Sequence, residues 1–557
     1  MNTRRSPGTT ILSTRAATLK FLYVLIGNFV LSYALVPTVT VQAQRREMLL
    51  TLREATAFAL QGNLDIQIAG LNPPIRVAQI TEREGIFDLN TRASVRAGDT
   101  RLLGTSTTFL KRVDDNLIGQ DDSRDQRLAL GISQLTLYGG TFDVELAESH
   151  LGTNALLTTQ TQLKGFNRQP PCTPGFPLLP TNCNPIPNSD LYTAEATLRA
   201  TQPLLRNFGS EVTQNQILIA QNNLTISKED FRRQIITTTS QVQQAYWDLV
   251  FRRQDLEVQK QQLALGQQLL DQIRKQVTVG TLAPLDVLQA ETNNARIEER
   301  ILVADNALRQ AEDRLKRVMN FSLIGALADI VIVPADPAAY TDHALDQDEQ
   351  IRQALNQRAD LIQAKLVLEN QNIGLVFDKN QALPTLDLDA TFRFNGIDNR
   401  FGGSFDEIDP TKRYAWGVGL IFRYPLQNRQ AKGRVQQSQL AIRQQMVRIK
   451  DLEENVIFEV RNSFRDVLTN AQRVQASRVA SRLAQKQLEA EEKKLQVGLA
   501  TVFTTLQFQD TLTQQLSLEI NAVTDYLKAL VRLEESKNTL LQSYNIVLQV
   551  DGPRLQQ

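Results

Sequence analysis

Apolar side chains return every seventh residue along two long stretches of the chain. The first row is Val242, Leu249, Leu256, Leu263, Leu270 and Val277. The second is Val460, Val467, Val474, Ser481, Leu488 and Leu495, apolar at all but Ser481. A seven-residue spacing keeps one helix stripe facing a partner and predicts left-handed supercoiling. Between Thr213 and Val277 there is no proline and one glycine, Gly266; between Arg434 and Val497 there is neither. At ~1.5 Å per residue each stretch predicts a helix of about 100 Å. The faces away from the apolar rows are rich in Gln, Asn, Arg and Glu. They read as solvated coiled-coil surface, some of it lining water if the helices form a hollow cylinder.

Both helices end in the same way. "QVTVGTLAPLDVLQAET" starts at Gln276 and "QVGLATVFTTLQFQDT" at Gln496. Gly280 and Gly498 stand where a left-handed residue would close a helix, and Pro284 suits the first turn of a returning one. Beyond Gly280 the apolar rows change phase, to Ile301, Leu308 and Leu315 beside Ile297, Ala304, Ala311 and Val318. A change of phase predicts a hairpin with a tight tip rather than a kink.

The two tips belong to a repeat. At a shift of 218, Gly280 meets Gly498, Leu288 meets Leu506, Gln289 meets Gln507 and Asp248 meets Asp466. At a shift of 295, Ala59-Leu60 and Asp65 meet Ala354-Leu355 and Asp360. The first copy is therefore longer by 295 − 218 = 77 residues. This divides the chain into a first repeat at 44–320, an inter-repeat segment at 321–350, a second repeat at 351–546 and a tail at 547–557. Helical hairpins are expected at 213–319 and 434–546. Asn72-Pro73-Pro74 should interrupt the opening helix of the first copy.

Ahead of the second hairpin the period becomes two. In "TLDLDATFRF" Leu386, Leu388, Ala390, Phe392 and Phe394 alternate with polar residues. In "RYAWGVGLIFRYPL" one face carries Tyr414, Trp416, Val418, Leu420, Phe422 and Tyr424, the other Ala415, Gly417, Gly419 and Arg423. Aromatics at both ends of an apolar face fit a membrane strand with two interfacial girdles. Strands are expected at 385–394 and 413–425, with weaker counterparts near 88–100 and 190–203. Pro203 and Pro425 mark equivalent passages from strand to helix. Four strands cannot close a barrel, and open edges are not tolerated in lipid, so the chain must share a barrel with its own copies. Three chains would give twelve strands. The insertion at about 100–190 holds a further hairpin candidate, "RLALGISQL" and "TFDVEL" around Gly139-Gly140. Barrel strands, an extracellular cap and a plug all stay open for it.

Composition narrows the function. The chain has 61 basic and 60 acidic side chains, giving no charge signal for nucleic acid. Its only histidines are His150 and His343 and its only cysteines Cys172 and Cys183. No phosphate-binding loop, nucleophile–base pair or metal triad is visible, so no enzyme, cofactor or metal site is expected. Arg4, Arg5, Arg15 and Lys20 precede an apolar run from Phe21 to about Val41, and Val41-Gln42-Ala43 offers a cleavage site. Residues 1–43 read as a signal peptide. In an exported, proline-stiffened loop, Cys172 and Cys183 are expected to form a disulfide.

The chain resembles the TolC-like outer membrane efflux proteins of Gram-negative bacteria. The matching stretches are "LTLREATAFALQGNLDI", "TQPLLRNFG", "VQQAYWDLV", "VGTLAPLDVLQAET" and "VGLATVFTTL", in order, over nearly all of the mature chain. The fold implied is mainly α with a membrane β-barrel. Two tandem repeats of strands and long coiled-coil hairpins build a homotrimeric twelve-stranded barrel that continues into a periplasmic α-helical tunnel. An equatorial belt would draw on Met319 to Gln350 and the C-terminal tail.

The implied function is a passive exit duct of a tripartite efflux or type I secretion system. It would contact outer membrane lipid, a periplasmic adaptor and, through that adaptor, an energised inner-membrane transporter. By resemblance the adaptor-docking tips are Val279, Gly280, Thr281 and Leu282 with Val497, Gly498, Leu499 and Ala500. The periplasmic aperture would involve Asp286, Thr504 and Gln507. Well-known members carry acids six and nine residues after the second glycine, where this chain has Thr504 and Gln507. The membrane girdle would be Tyr414, Trp416, Phe422 and Tyr424. A soluble periplasmic coiled-coil scaffold is the alternative.

Overall fold

A computed structural model describes residues 47–103, 120–153, 189–321, 330–342 and 345–543. The expected signal peptide, the loop holding Cys172 and Cys183 and the C-terminal tail lie outside them. The chain opens with β1 (Glu47–Leu50), α1 (Leu52–Gly62), α2 (Leu64–Gly70) and α3 (Asn72–Glu84). It continues through β2 (Asn90–Leu103), β3 (Gln120–Leu135), β4 (Thr141–Thr153) and β5 (Ser189–Pro203). The first hairpin follows a short α4 (Ser210–Thr213) as α5 (Asn215–Thr278) and α6 (Pro284–Val318). Then come β6 (Val331–Pro334), α7 (Gln347–Gln357), α8 (Ala359–Gln381), β7 (Thr385–Asp398), α9 (Gly403–Asp406) and β8 (Tyr414–Arg423). The second hairpin is α10 (Arg429–Gln496) and α11 (Val502–Lys537), followed by α12 (Leu540–Ser543).

The long helices follow the heptads. Val242, Leu249, Leu256 and Leu270 are buried, as are all six positions of the second row from Val460 to Leu495. Within that row Ser481 keeps its hydroxyl satisfied by donating to Glu519 at 2.5 Å. α5 packs on α6, α10 on α11, and α5 also lies along α11, so the two hairpins form one column. The opening helix does break near the prolines. α2 stops at Gly70, and α3 starts at Asn72 with proline in its first turn, where a missing N–H breaks no helical bond.

Halfway along the column a belt is tied to the helices. β1 pairs in parallel with β6, joining residues near the start of each repeat. The single hydroxyl proton of buried Tyr246 on α5 is shared between the Leu50 carbonyl at 3.1 Å and the Asp336 carboxylate at 2.9 Å. Burial pushes this phenol well above its ordinary pKa range. The same Asp336 accepts from the Leu52 N–H at 2.6 Å. On the other side Tyr526 of α11 donates to the Thr341 carbonyl at 2.7 Å.

The strands correct the sequence reading. One antiparallel sheet runs in the order β2-β3-β4-β5-β7-β8, six strands where four were expected. The hairpin of the insertion supplies the two additional ones, each paired along its length. β7 runs on to Asp398 past the expected end at Phe394, because Asn395 and Gly396 keep pairing with Glu195 and Ala194 of β5. β8 is slightly shorter than expected, ending at Arg423, before Pro425. β2 and β8 are the edges among the described residues.

Candidate functional site: hairpin tips and barrel wall

The tips are built alike. After α5 the Gly280 N–H donates to the Val277 carbonyl at 3.0 Å and the Thr281 N–H to the Gln276 carbonyl at 2.9 Å. After α10 the Gly498 N–H donates to Leu495 at 3.1 Å and the Leu499 N–H to Lys494 at 2.9 Å. Each set is a Schellman closure around a left-handed glycine, with φ of 82° at Gly280 and 77° at Gly498. A Cβ at either glycine would meet nothing within 4 Å, so backbone conformation alone demands glycine there.

Below the turns the hairpins share a core of Leu269, Leu270, Ile273, Ala290, Leu495, Val502 and Leu506. Leu282 and Ala500 pack against it partly buried. Val279 (74% exposed), Val497 (69%) and Leu499 (78%) stay out in solvent with Leu285, Leu288 and Phe503. The tips therefore offer an apolar surface.

The three aperture candidates divide. Asp286 turns back to accept from the Ala283 N–H at 3.0 Å, capping α6. Thr504 does the same for α11, accepting from the Thr501 N–H at 3.2 Å, while the Thr501 hydroxyl accepts from the Thr504 N–H. The two residues are thus equivalent caps, and Gln507 one turn on is exposed. Sequence reading missed the link deeper in the column. Arg300 of α6 meets Asp510 of α11 at 2.6 Å, tying the two returning helices together. Higher up, Lys528 of α11 bridges Asp248 of α5 at 2.8 Å and Asp525 at 3.0 Å. Burial works against the Lys528 charge, but both carboxylates hold its pKa above the ordinary lysine value. Neither cross-helix pair lies at a fixed spacing along the sequence, so no local pattern announces it.

The sheet has two chemically distinct faces. Cross-strand partners share a face, and one row reads Leu130, Leu146, Ala196, Phe394 and Tyr414 from β3 to β8. Trp416 lies opposite Phe392, and Phe422 opposite Leu386. Tyr414, Trp416, Phe422 and Tyr424 are all exposed in the single chain. The opposite face is polar. On it Glu145 of β4 pairs with Arg92 of β2 at 2.5 Å and with Arg127 of β3 at 2.8 Å. Arg393 of β7 pairs with Glu195 of β5. An apolar face backed by a charged one is the pattern of strands in an outer-membrane barrel wall. Among the described residues no helix is long and apolar enough to cross a membrane, and no cluster of three or more metal-ligating side chains occurs.

The family profile described as "Outer membrane efflux protein" matches residues 186–320 and 350–539, covering both repeats. The chain belongs to the outer membrane efflux protein family. Its members are channels rather than enzymes, placed in the outer membrane of Gram-negative bacteria with a large periplasmic part. "Outer membrane protein TolC" of Escherichia coli (strain K12) is 25% identical over 288 residues. The match takes in 57% of TolC and 51% of this chain, so it spans about half of each. Among solved structures, the outer-membrane channel OprN has a TM-score of 0.60 at 12% identity, covering 88% of this chain and 90% of OprN. The Campylobacter jejuni CmeC outer membrane channel gives 0.58 at 12% identity, with 88% and 86% covered. These likenesses establish the outer membrane efflux fold.

Proposed function

We propose that three copies of this chain form a passive exit duct from the periplasm to the outside. Its strands are the membrane portion and its hairpins the periplasmic tunnel. An inner-membrane transporter supplies the energy, and a periplasmic adaptor docks on the tips through Val279, Gly280, Thr281 and Leu282 and through Val497, Gly498, Leu499 and Ala500. Two similar tips in each of three chains make six, with grooves between them for adaptor hairpins. The observation that carries this reading is the pair of matching glycine-closed tips with exposed valine and leucine, at the end of a column that begins at a two-faced sheet. Asp286, Thr504 and Gln507 stand near the proposed aperture, with Asp286 and Thr504 acting first as helix caps. Without the usual acids on the second tip, the aperture lacks an acidic ring there. A Cys172–Cys183 disulfide in the insertion completes the proposal.

Light scattering on the detergent-extracted protein, with detergent mass subtracted, is the direct test. A mass of three chains supports the duct. A monomer that stays soluble without detergent overturns it in favour of the periplasmic scaffold. Adaptor docking is tested by photo-crosslinking from Val279 and Leu499 in cells. Capture of a periplasmic helical-hairpin protein at both positions supports it, and capture at neither refutes it.

A further inference from the structure

The additional hairpin β3–β4 is the feature that the duct reading does not absorb. We propose that it is barrel wall rather than cap or plug, so that three chains close a barrel of eighteen strands. This rests on the trimeric reading above.

The hairpin lies between β2 and β5 and hydrogen-bonds to both, so it interrupts what would otherwise be a direct β2–β5 pairing. From Leu128 to Ile132 and from Phe142 to Leu146 its side chains follow the rule of the other strands; beyond them Glu148, opposite Leu128 on the apolar face, is buried under the loop between β7 and β8. Leu128, Leu130 and Ile132 of β3 and Phe142 and Leu146 of β4 are exposed on the same face as Trp416 and Phe422. A plug would present polar groups to the lumen on both faces, and a cap would have no reason to continue a lipid-facing band. On the polar face Glu145 of the hairpin joins Arg92 and Arg127, as Glu195 and Arg393 pair on the neighbouring strands.

Both ends are fixed into the wall. At the helix-proximal end, Gln202 of β5 donates to the Tyr138 carbonyl at 3.2 Å, and Tyr138 stacks on Phe208 at 6.3 Å. A Cβ on Gly139 would lie 2.3 Å from the Asn207 carbonyl oxygen, so the turn is pressed against the passage from β5 to α4. At the far end Glu148 of β4 accepts from the Ser404 hydroxyl at 2.7 Å and the Gly402 N–H at 2.8 Å, which ties it to the loop between β7 and β8.

Direction closes the case for the edges. Every neighbour in the sheet is antiparallel, so with six strands β2 and β8 run oppositely. The β8 edge of one copy can then continue antiparallel onto the β2 edge of the next. Open sheet edges with unpaired backbone groups are not tolerated in lipid, so the partner they fit is a second copy of this chain. Adding two strands preserves this directional match, whereas adding one would destroy it. Since barrel diameter grows roughly linearly with strand number, the lumen is about 1.5-fold wider than in a twelve-stranded barrel and about twice as large in cross-section. Its lining is charged and hydrophilic.

The test uses the full chain carrying Cys172→Ser and Cys183→Ser. Single cysteines Leu130→Cys, Leu146→Cys, Ser133→Cys and Ser149→Cys are labelled with a fluorophore in liposomes containing nitroxide-labelled lipid. Val418→Cys on β8 serves as the lipid-facing reference. The wall reading expects quenching at Leu130 and Leu146 comparable to Val418, and little at Ser133 and Ser149. Little quenching at all four places the hairpin off the lipid and overturns the proposal. Strand counting by electron microscopy of the unmodified protein covers the case of a variant that fails to assemble: eighteen supports the proposal and twelve overturns it. Mass from light scattering separates the two layers. A trimer without lipid contact at Leu130 and Leu146 refutes only the added wall, whereas a non-trimer refutes the duct itself.

Discussion

The two repeats make nearly the same column but unequal amounts of sheet. In each, a long helix ends in a glycine closure and returns along itself. Above the column the first repeat contributes β2, β3, β4 and β5, the second only β7 and β8. Helical packing constrains both copies equally, because every heptad position faces a neighbour in the column. A sheet accepts growth wherever a hairpin can be inserted with its apolar face aligned. The difference also reaches the belt. Tyr246 holds it from the outgoing helix of the first copy, Tyr526 from the returning helix of the second. The position equivalent to Tyr246, 218 residues on, is Phe464.

Removing the inequality should have the largest effect. Deleting residues 104–188 and joining the strands by a two-residue turn leaves two strands per repeat. β2 and β5 keep opposite directions and matching apolar faces, since Ala93 reaches Ala196 through Leu130 and Leu146. The expected product is a detergent-extracted trimer whose strand count by electron microscopy falls from eighteen to twelve. Loss of extractable protein would show that β2 and β5 require the hairpin between them.

Glycine substitutions grade the contacts next. Gly396→Ala in β7 would put a Cβ 1.9 Å from the Ser404 carbonyl oxygen, and Gly139→Ala in the added turn has the 2.3 Å clash with Asn207. Both should lower the thermal midpoint more than Gly280→Ala or Gly498→Ala, where only backbone strain of about 1–2 kcal/mol applies. The two tip variants should match each other, and unequal midpoints would contradict their equivalence.

The belt tyrosines should differ although Tyr→Phe removes the same hydroxyl from each. Tyr246→Phe strips a hydroxyl serving Leu50 and Asp336 at a buried site, an expected loss of about 1–3 kcal/mol. Tyr526→Phe loses the bond to the Thr341 carbonyl and should cost about 1 kcal/mol. Denaturant titration followed by circular dichroism reads both. At the small end, Asp286→Ala should weaken the α6 start by about 0.3–1 kcal/mol, an effect reduced by salt. Thr504→Ala removes a neutral cap, so its smaller effect should be insensitive to salt.

Much of this was legible in the sequence. Heptads and glycine closures are local signals, so the hairpins and tips could be placed before any fold was known. The strands of the second repeat were equally plain, because Trp416, Val418, Leu420 and Phe422 alternate without interruption. β2 was faint, since Arg92 and Arg96 on the charged face alternate with only small apolar residues and Val95. The hairpin around Gly139-Gly140 was visible as a hairpin, but its place between β2 and β5 in the sheet was not. Period two reveals a strand's faces, whereas its neighbours depend on pairing over distance. The same limit hid Tyr246–Asp336, Arg300–Asp510 and Glu148–Ser404, each joining residues far apart in the chain.

The parallel pair β1–β6 also sets an order in time. Leu52 and Asp336, which close that corner, stand 284 residues apart. The hairpin α5–α6 closes through contacts between consecutive helices and can form as soon as both have been exported. β1 must wait for the whole first repeat to pass before its partner exists. Contacts between distant residues are the slow ones to form, so the belt is a late step, and β1 stays unpaired until β6 has emerged.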